Sequence, residues 1–154
     1  MDTEQPLFRE AVSADLPQLV SMLADDELGV QREDASQPLN GAYRAAFQAI
    51  ERDPNNVIIV AEIEQTVAAM LQLTFIPYLT HIGSWRCLIE GVRVHCEHRG
   101  KKLGRRLLQS AIELARDRGC RIVQLTSDKQ RPRALRFYES LGFAATHEGF
   151  KLKL

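Results

Sequence analysis

The stretch of this chain richest in reactive and charged groups is Val92-Arg-Val-His-Cys-Glu-His-Arg-Gly-Lys-Lys-Leu-Gly104. A strand-like run ends, Gly100 and Gly104 loosen the chain, and an amphipathic helical pattern starts at Leu103. A helix N-terminus presents N–H groups without intrahelical partners and a partial positive charge, which suits an anion. Five of the eight residues 99–106 are basic: Arg99, Lys101, Lys102, Arg105 and Arg106. Positive side chains there oppose the helix dipole unless something anionic binds. Backbone and side chains together describe a phosphate or pyrophosphate cradle. It is neither a Walker loop, since the Gly-Lys-Ser/Thr ending is missing, nor a G-x-G-x-x-G dinucleotide loop. The blander reading, a solvated basic turn, leaves the charge uncompensated.

Other reactive residue types are scattered. Cys87, Cys96 and Cys120 form neither a disulfide framework nor a zinc spacing. Cys96 and Cys120 read as small buried hydrophobes of a reduced, cytoplasmic protein. His95 and His98 flank the loop without a partner at metal-ligand spacing, so no metal site is expected. The acidic opening, Met1-Asp-Thr-Glu-Gln-Pro6, lacks a signal-peptide core, and no apolar run approaches the ~20 residues that cross a bilayer.

The 154 residues, 45% hydrophobic and 26% charged, fit one globular domain spanning residues 1–154. Twenty basic and twenty acidic residues cancel, which excludes a strongly basic nucleic-acid binder. The cancellation hides a polarity. Residues 1–64 hold 13 acidic and 4 basic residues, and residues 65–154 hold 7 and 16, so the halves carry −9 and +9.

The elements that must position the basic loop follow from periodicity. A strand over Leu7–Val12 precedes a helix with Ser13 as N-cap, Asp15 in its first turn, and Leu16, Leu19, Val20 and Leu23 on one face. After a polar stretch from Asp25 to Pro38, Tyr43, Ala46, Phe47 and Ile50 mark a second helix. Val57–Ile63 and Val67–Phe75, separated by Glu64-Gln-Thr, predict an antiparallel hairpin without the favoured Asn-Gly turn. A long strand spans Trp85–Cys96, where Gly91 suggests a bulge or a close backbone approach. Leu103, Leu107, Leu108, Ala111, Leu114 and Ala115 give the strongest helix, stopped by Gly119. A strand at Arg121–Thr126, a helix at Arg133–Leu141 and one or two closing strands within Phe143–Leu154 complete the chain. An antiparallel front half followed by βαβ units predicts an α/β (α+β) fold with helices on a mixed sheet.

Two segments give this pattern a family. Arg99-Gly-Lys-Lys-Leu-Gly104 resembles the Q/R-x-x-G-x-G/A loop that follows the fourth strand in the GNAT superfamily of acyl-CoA-dependent N-acetyltransferases, matching at Arg99 and Gly104. Ala134-Leu-Arg-Phe-Tyr-Glu-Ser-Leu-Gly-Phe143 resembles that family's A-x-x-F-Y-x-x-x-G-F. Lys102 stands where the family usually has glycine, and could donate its backbone N–H from a helical conformation. Arg131 replaces a common asparagine three residues before Ala134. The resemblance implies a mostly antiparallel central sheet of six to seven strands flanked by about four helices. It implies acetyl-CoA as cosubstrate, no metal, and direct transfer to an amine without a covalent acyl-enzyme.

Residue roles follow from the same resemblance. Tyr138 is the implied acid for the leaving thiolate, and a phenol of pKa ~10 stays protonated at neutral pH. Glu90 is the implied base for the amine, and simple alternation places Glu90, Val92 and Val94 on one strand face. Otherwise Glu90 pairs with Arg86 or Arg93. The backbones of Val92 and Val94 are expected to pair with the pantetheine arm. The amides of Arg99, Gly100, Lys101, Lys102, Leu103, Gly104 and Arg105 are expected around the pyrophosphate. The family's acceptor wall falls in the acidic half, where Asp25, Asp26 and Glu27 could attract a cationic small-molecule amine. A protein or peptide amine, or a CoA-binding sensor without catalysis, are the alternatives. No nucleic-acid or membrane partner is expected, and the family implies a homodimer.

Overall fold

The computed structural model describes residues 5–154, so the acidic opening Met1–Glu4 lies outside the described residues. The chain divides into a larger compact unit that ends at Gln124 and a smaller one from Leu125 to Leu154.

The larger unit is built on strands β1 (Leu7–Glu10), β2 (Asn56–Ile63), β3 (Thr66–Pro77), β4 (Trp85–Val94) and β5 (Cys120–Leu125), adjacent in that order. Strands β1 to β4 pair antiparallel, and β5 reaches β4 through the crossover helix α4 (Leu103–Asp117). Helices α1 (Leu16–Ala24) and α2 (Gly41–Arg52) fill the β1–β2 connection, and a single turn, α3 (Thr80–Gly83), joins β3 to β4. Thus the mixed, mostly antiparallel sheet with flanking helices is present. The hairpin turn at Glu64 and Gln65 has φ of 49° and 61°, the two positive values a two-residue turn requires, despite lacking glycine. Ser13 is not the N-cap: Ser13–Asp15 form a 3₁₀ turn, and Asp15 accepts a hydrogen bond from Val12 N at 2.8 Å.

Register sorts the sheet's two faces. Ile59, Ala61, Ala69, Leu71, Leu73, Phe75, Cys87 and Ile89 are buried on one face, and helix α4, whose Leu103, Leu107, Leu108, Ala111 and Ala115 are buried, packs on β3 and β4. Ile58, Val60, Val67 and Met70 cluster on the other with Leu19 and Met22 of α1 and Phe47 of α2. Burial also pushes the Cys87 thiol up to about 12, so it is an inert core residue at neutral pH. Cys96, by contrast, is exposed, because the turn after β4 carries it off the sheet.

Strand β4 is bulged. Met70 pairs with Arg93, but Gln72 pairs with Glu90, so β4 holds one extra residue where β3 advances by two. Gly91 sits there with φ 61°, in the left-handed region. A Cβ on Gly91 would meet only Leu23 at 3.9 Å, so backbone conformation rather than space demands glycine. The bulge overturns the expectation that Glu90, Val92 and Val94 share a face. Glu90 lies opposite Gln72 and Val94 opposite Ala69, positions of opposite parity on β3.

In the smaller unit, helix α5 (Pro132–Glu139) opens on a proline at its first position, and the turn that follows it closes at Gly142, whose N–H donates to the Glu139 carbonyl at 3.0 Å. The expected closing strands do not form. Residues 143–154 carry no regular structure, and Phe150, Leu152 and Leu154 are exposed. Their alternation supplies strand propensity, but a strand exists only with a hydrogen-bonding neighbour, and among the described residues the sheet therefore has five strands rather than six or seven. Among the described residues no helix is long and apolar enough to cross a membrane.

The entrance to α1 is fixed by Arg9, which bonds Asp15 at 2.7 and 3.0 Å and Glu62 at 2.6 Å. These bonds from the guanidinium hold the Asp15 carboxyl below the usual carboxylate range. That stabilisation is complete above the unfolded value of ~3.9 and is lost as pH falls through the lower folded value. Asp15→Asn should cost about 1–3 kcal/mol in urea unfolding at pH 7, and the difference from the parent should shrink below pH 4.

Candidate active site

The strand–loop–helix segment takes its shape from three local features. Beyond Val94, residues Cys96–His98 make one 3₁₀ turn with His95 Nδ1 accepting from Glu97 N at 3.4 Å. Gly100 then takes φ 76° and Lys102 φ 63°. Helix α4 follows with no side-chain cap, and its first backbone bond runs from Arg106 N to Lys102 O at 3.1 Å. The N–H groups of Leu103 and Gly104 therefore precede the helix ladder. Lys101, Lys102 and Arg106 are exposed around this end. An uncapped N-terminus ringed by cations fits a diphosphate group.

Lys102 departs from its expectation. It is left-handed rather than helical, the conformation that glycine adopts without cost. This position thus has a backbone suited to glycine, and the chain supports it with a lysine at a cost of about 1–2 kcal/mol.

Glu90 and Val94 part at the bulge, as described. Glu90 faces the α1/α2 side, where its carboxylate is exposed and has no ion pair or hydrogen bond among the described residues. The arginines that could have claimed it are engaged elsewhere. Arg86 bonds Gln124 Oε1 at 3.2 Å and stacks 4.2 Å from the Tyr78 ring centroid, and Arg93 pairs with Asp26 at 3.0 Å. Beside Glu90, Gln72 Nε2 donates to Asn56 Oδ1 at 2.9 Å, continuing a polar row across the sheet.

The carbonyls of Val92 and Val94 accept from Arg93 Nη1 at 2.8 Å and Arg99 Nε at 3.0 Å. A carbonyl oxygen has two lone pairs, so each retains capacity for a second donor. Arg99 also reaches past α1. Its Nη2 bonds the Asp25 carbonyl at 3.1 Å and the Asp25 carboxylate at 3.3 Å. Asp26 is largely buried, with Oδ1 accepting from Leu28 N and Gly29 N at 2.8 and 3.0 Å. Gly29 closes this turn against α1, where a Cβ would overlap the Leu23 carbonyl oxygen.

Of the three acidic residues expected on the acceptor side, Asp25 and Asp26 are thus paired with arginines, and Glu27 stands exposed without an ion pair among the described residues. The two pairs are what the sequence reading missed. Their signal was visible, because acidic residues at the end of α1 and basic ones before α4 both have the unfavourable sign for their helix ends.

Tyr138 lies in the smaller unit, on α5. Its ring packs edge-on to Phe143 at 5.9 Å and tilted on Phe137 at 5.4 Å, while its carbonyl accepts from Leu141 N and Phe143 N. Among the described residues no group of three or more His, Cys, Asp or Glu converges as metal ligands do.

A bulged β4 running into a basic helix N-terminus without a side-chain cap is a site built for an anionic ligand. Residues 18–143 match the acetyltransferase (GNAT) family, and the chain belongs to that family and is an acyltransferase. The aminoalkylphosphonate N-acetyltransferase of Salmonella typhimurium is 33% identical over 71% of this chain and 70% of its own. The glucosamine 6-phosphate N-acetyltransferase of Trypanosoma brucei brucei is 32% identical over 76% of this chain and 79% of its own. A crystal structure from Bacillus halodurans C-125, described as a transcriptional regulator, is 54% identical with a TM-score of 0.95, covering 97% of this chain and 99% of that one.

Lys102→Gly should raise unfolding stability by about 0.5–1 kcal/mol, the left-handed strain relieved less the entropy glycine adds to the unfolded chain. Lys102→Ala should not. Urea denaturation of the two variants checks the difference.

Proposed function

We propose that this chain transfers an acetyl group from acetyl-CoA to the primary amine of a small molecule, by direct attack within a ternary complex. The observation that carries the reading is the uncapped N-terminus of α4, directly after the bulged strand and flanked by basic residues. The amides of Leu103 and Gly104, with neighbouring amides from Gly100 to Arg105, would hold the diphosphate; the Arg99 N–H, expected among them, instead donates to the Cys96 carbonyl at 3.4 Å, and Lys101 and Lys102 would add positive charge. The backbones of Val92 and Val94 would line the pantetheine arm. Acetyl-CoA supplies an acyl group already activated as a thioester, so no enzyme nucleophile is needed.

Glu90 is the residue we assign to the incoming amine. An exposed carboxylate with no arginine partner can accept the ammonium proton, directly or through a water, and leave the nitrogen lone pair free. Tyr138 is assigned to give its phenolic proton to the thiolate as the C–S bond breaks and the C–N bond forms. The remaining acceleration would come from holding both reactants in one orientation. The named relatives act on an aminoalkylphosphonate and on glucosamine 6-phosphate, which supports a small amine over a protein amine. Glu27 is the acidic residue left to attract a cationic acceptor.

Thermal stabilisation by acetyl-CoA, followed by thiol release with a panel of small amines that includes phosphorylated and phosphonate-bearing ones, tests the reading. Stabilisation with release on at least one amine is expected. Stabilisation without release on any amine would instead favour a cofactor-responsive regulator. With an active acceptor, Glu90→Gln and Tyr138→Phe should each lower kcat by roughly 10²-fold or more, leaving the acetyl-CoA KM within a few-fold. Unchanged turnover in either variant removes that residue from the chemistry.

A further inference from the structure

The end of α1 and the start of the basic loop are 74 residues apart in sequence, yet one guanidinium spans them. Arg99 bonds the last carbonyl of β4 through Nε, and the carbonyl and carboxylate of Asp25, just past α1, through Nη2. One strand position back, Arg93 makes the parallel connection to Asp26, in a largely buried pair. Two consecutive acidic residues are therefore pinned to the two sides of Val94, and Arg99 is the first residue of the loop assigned to the diphosphate. We propose that Asp25 is a positioning residue for the cofactor loop: by holding the Arg99 guanidinium it sets the loop's departure from β4 and ties it to the segment after α1.

The inference rests on the cofactor reading above and adds to it. Two further effects hold the guanidinium where it is. Arg99 at the C-terminus of α1 satisfies a terminal carbonyl and meets the negative end of the helix dipole. It also neutralises Asp25, which at that helix end has the wrong sign. With its guanidinium held at three points, the backbone that follows, Arg99 to Lys102, starts from one defined place. When an anion binds the loop, the order it imposes passes through Arg99 and Asp25 to residues 25–33, where Asp26 and Gly29 complete a tight turn. Cofactor binding and order in the acceptor-side segment are then coupled through this contact.

The sign of one measurement separates this from plain electrostatics. Removing a carboxylate near a phosphate site raises the local positive potential, so Asp25→Asn should tighten CoA binding if charge alone matters. A positioning role predicts the opposite, weaker binding by about two- to five-fold, the range of an exposed ion pair. Calorimetric titration of the full chain with CoA reads this, with Glu27→Gln as the control that makes the same charge change at a residue without an ion pair among the described residues. Glu27→Gln should leave CoA affinity unchanged or slightly tighter, and Asp25→Glu should recover part of the loss. Hydrogen exchange supplies the second readout: CoA should protect residues 25–33 in the parent and not in Asp25→Asn, with both proteins shown folded by circular dichroism. CoA bound by the parent, with equal or tighter binding by Asp25→Asn or the same protection in both, overturns the positioning role alone. No binding of CoA by the parent overturns the cofactor reading and this inference with it.

Discussion

The extra residue at Gly91 is the constraint on which the candidate site depends. Without it, strand alternation would put Glu90 and Val94 on one face of the sheet, and the chain would leave β4 in a different direction. With it, the Glu90 side chain faces α1 and α2 while that of Val94 falls on the side of α4. The same insertion puts Arg93 on the α1/α2 side, where it meets Asp26. One backbone conformation that glycine adopts easily thus sets the direction of Glu90, Arg93 and Val94.

Charge completes what the bulge begins. The end of α1 is acidic and the start of α4 is basic, each unfavourable for its own helix dipole. Arg93 and Arg99 resolve the first conflict by pairing with Asp26 and Asp25. Lys101, Lys102 and Arg106 remain exposed beside an uncapped helix end, and that residual conflict is what an anionic cofactor would relieve. The polarity between the acidic front and basic rear of the chain is therefore partly internal, spent on its own ion pairs, and only in part directed at ligands.

Much of the fold was legible in the residues. Helical periodicity marked α1, α2 and α4, and apolar runs marked the central strands, because each buries a continuous face. Gly91 announced the bulge. Three features were not legible. The closing strands expected within Phe143–Leu154 do not form, since alternation records propensity and not the presence of a neighbour. Lys102 adopts a left-handed conformation that its side chain does not advertise. Cys96, expected to be buried, is exposed because the turn after β4 leaves the sheet.

The sequence by itself determined the family and the local patterns: a basic loop at a helix start, the two motif-like segments around Arg99 and Tyr138, and the order of the elements that carry them. These are local properties, set by residue type and spacing along one segment. The tertiary structure decided which carboxylates are free to act. Asp25, Asp26, Glu27 and Glu90 are equivalent as letters. Only the register of β4 against β3 and the return of the loop to α1 engage the first two with arginines, leaving Glu27 and Glu90 without such partners among the described residues. An ion pair joins residues that are distant in the chain, so its existence depends on where the backbone brings them, and no local pattern encodes that.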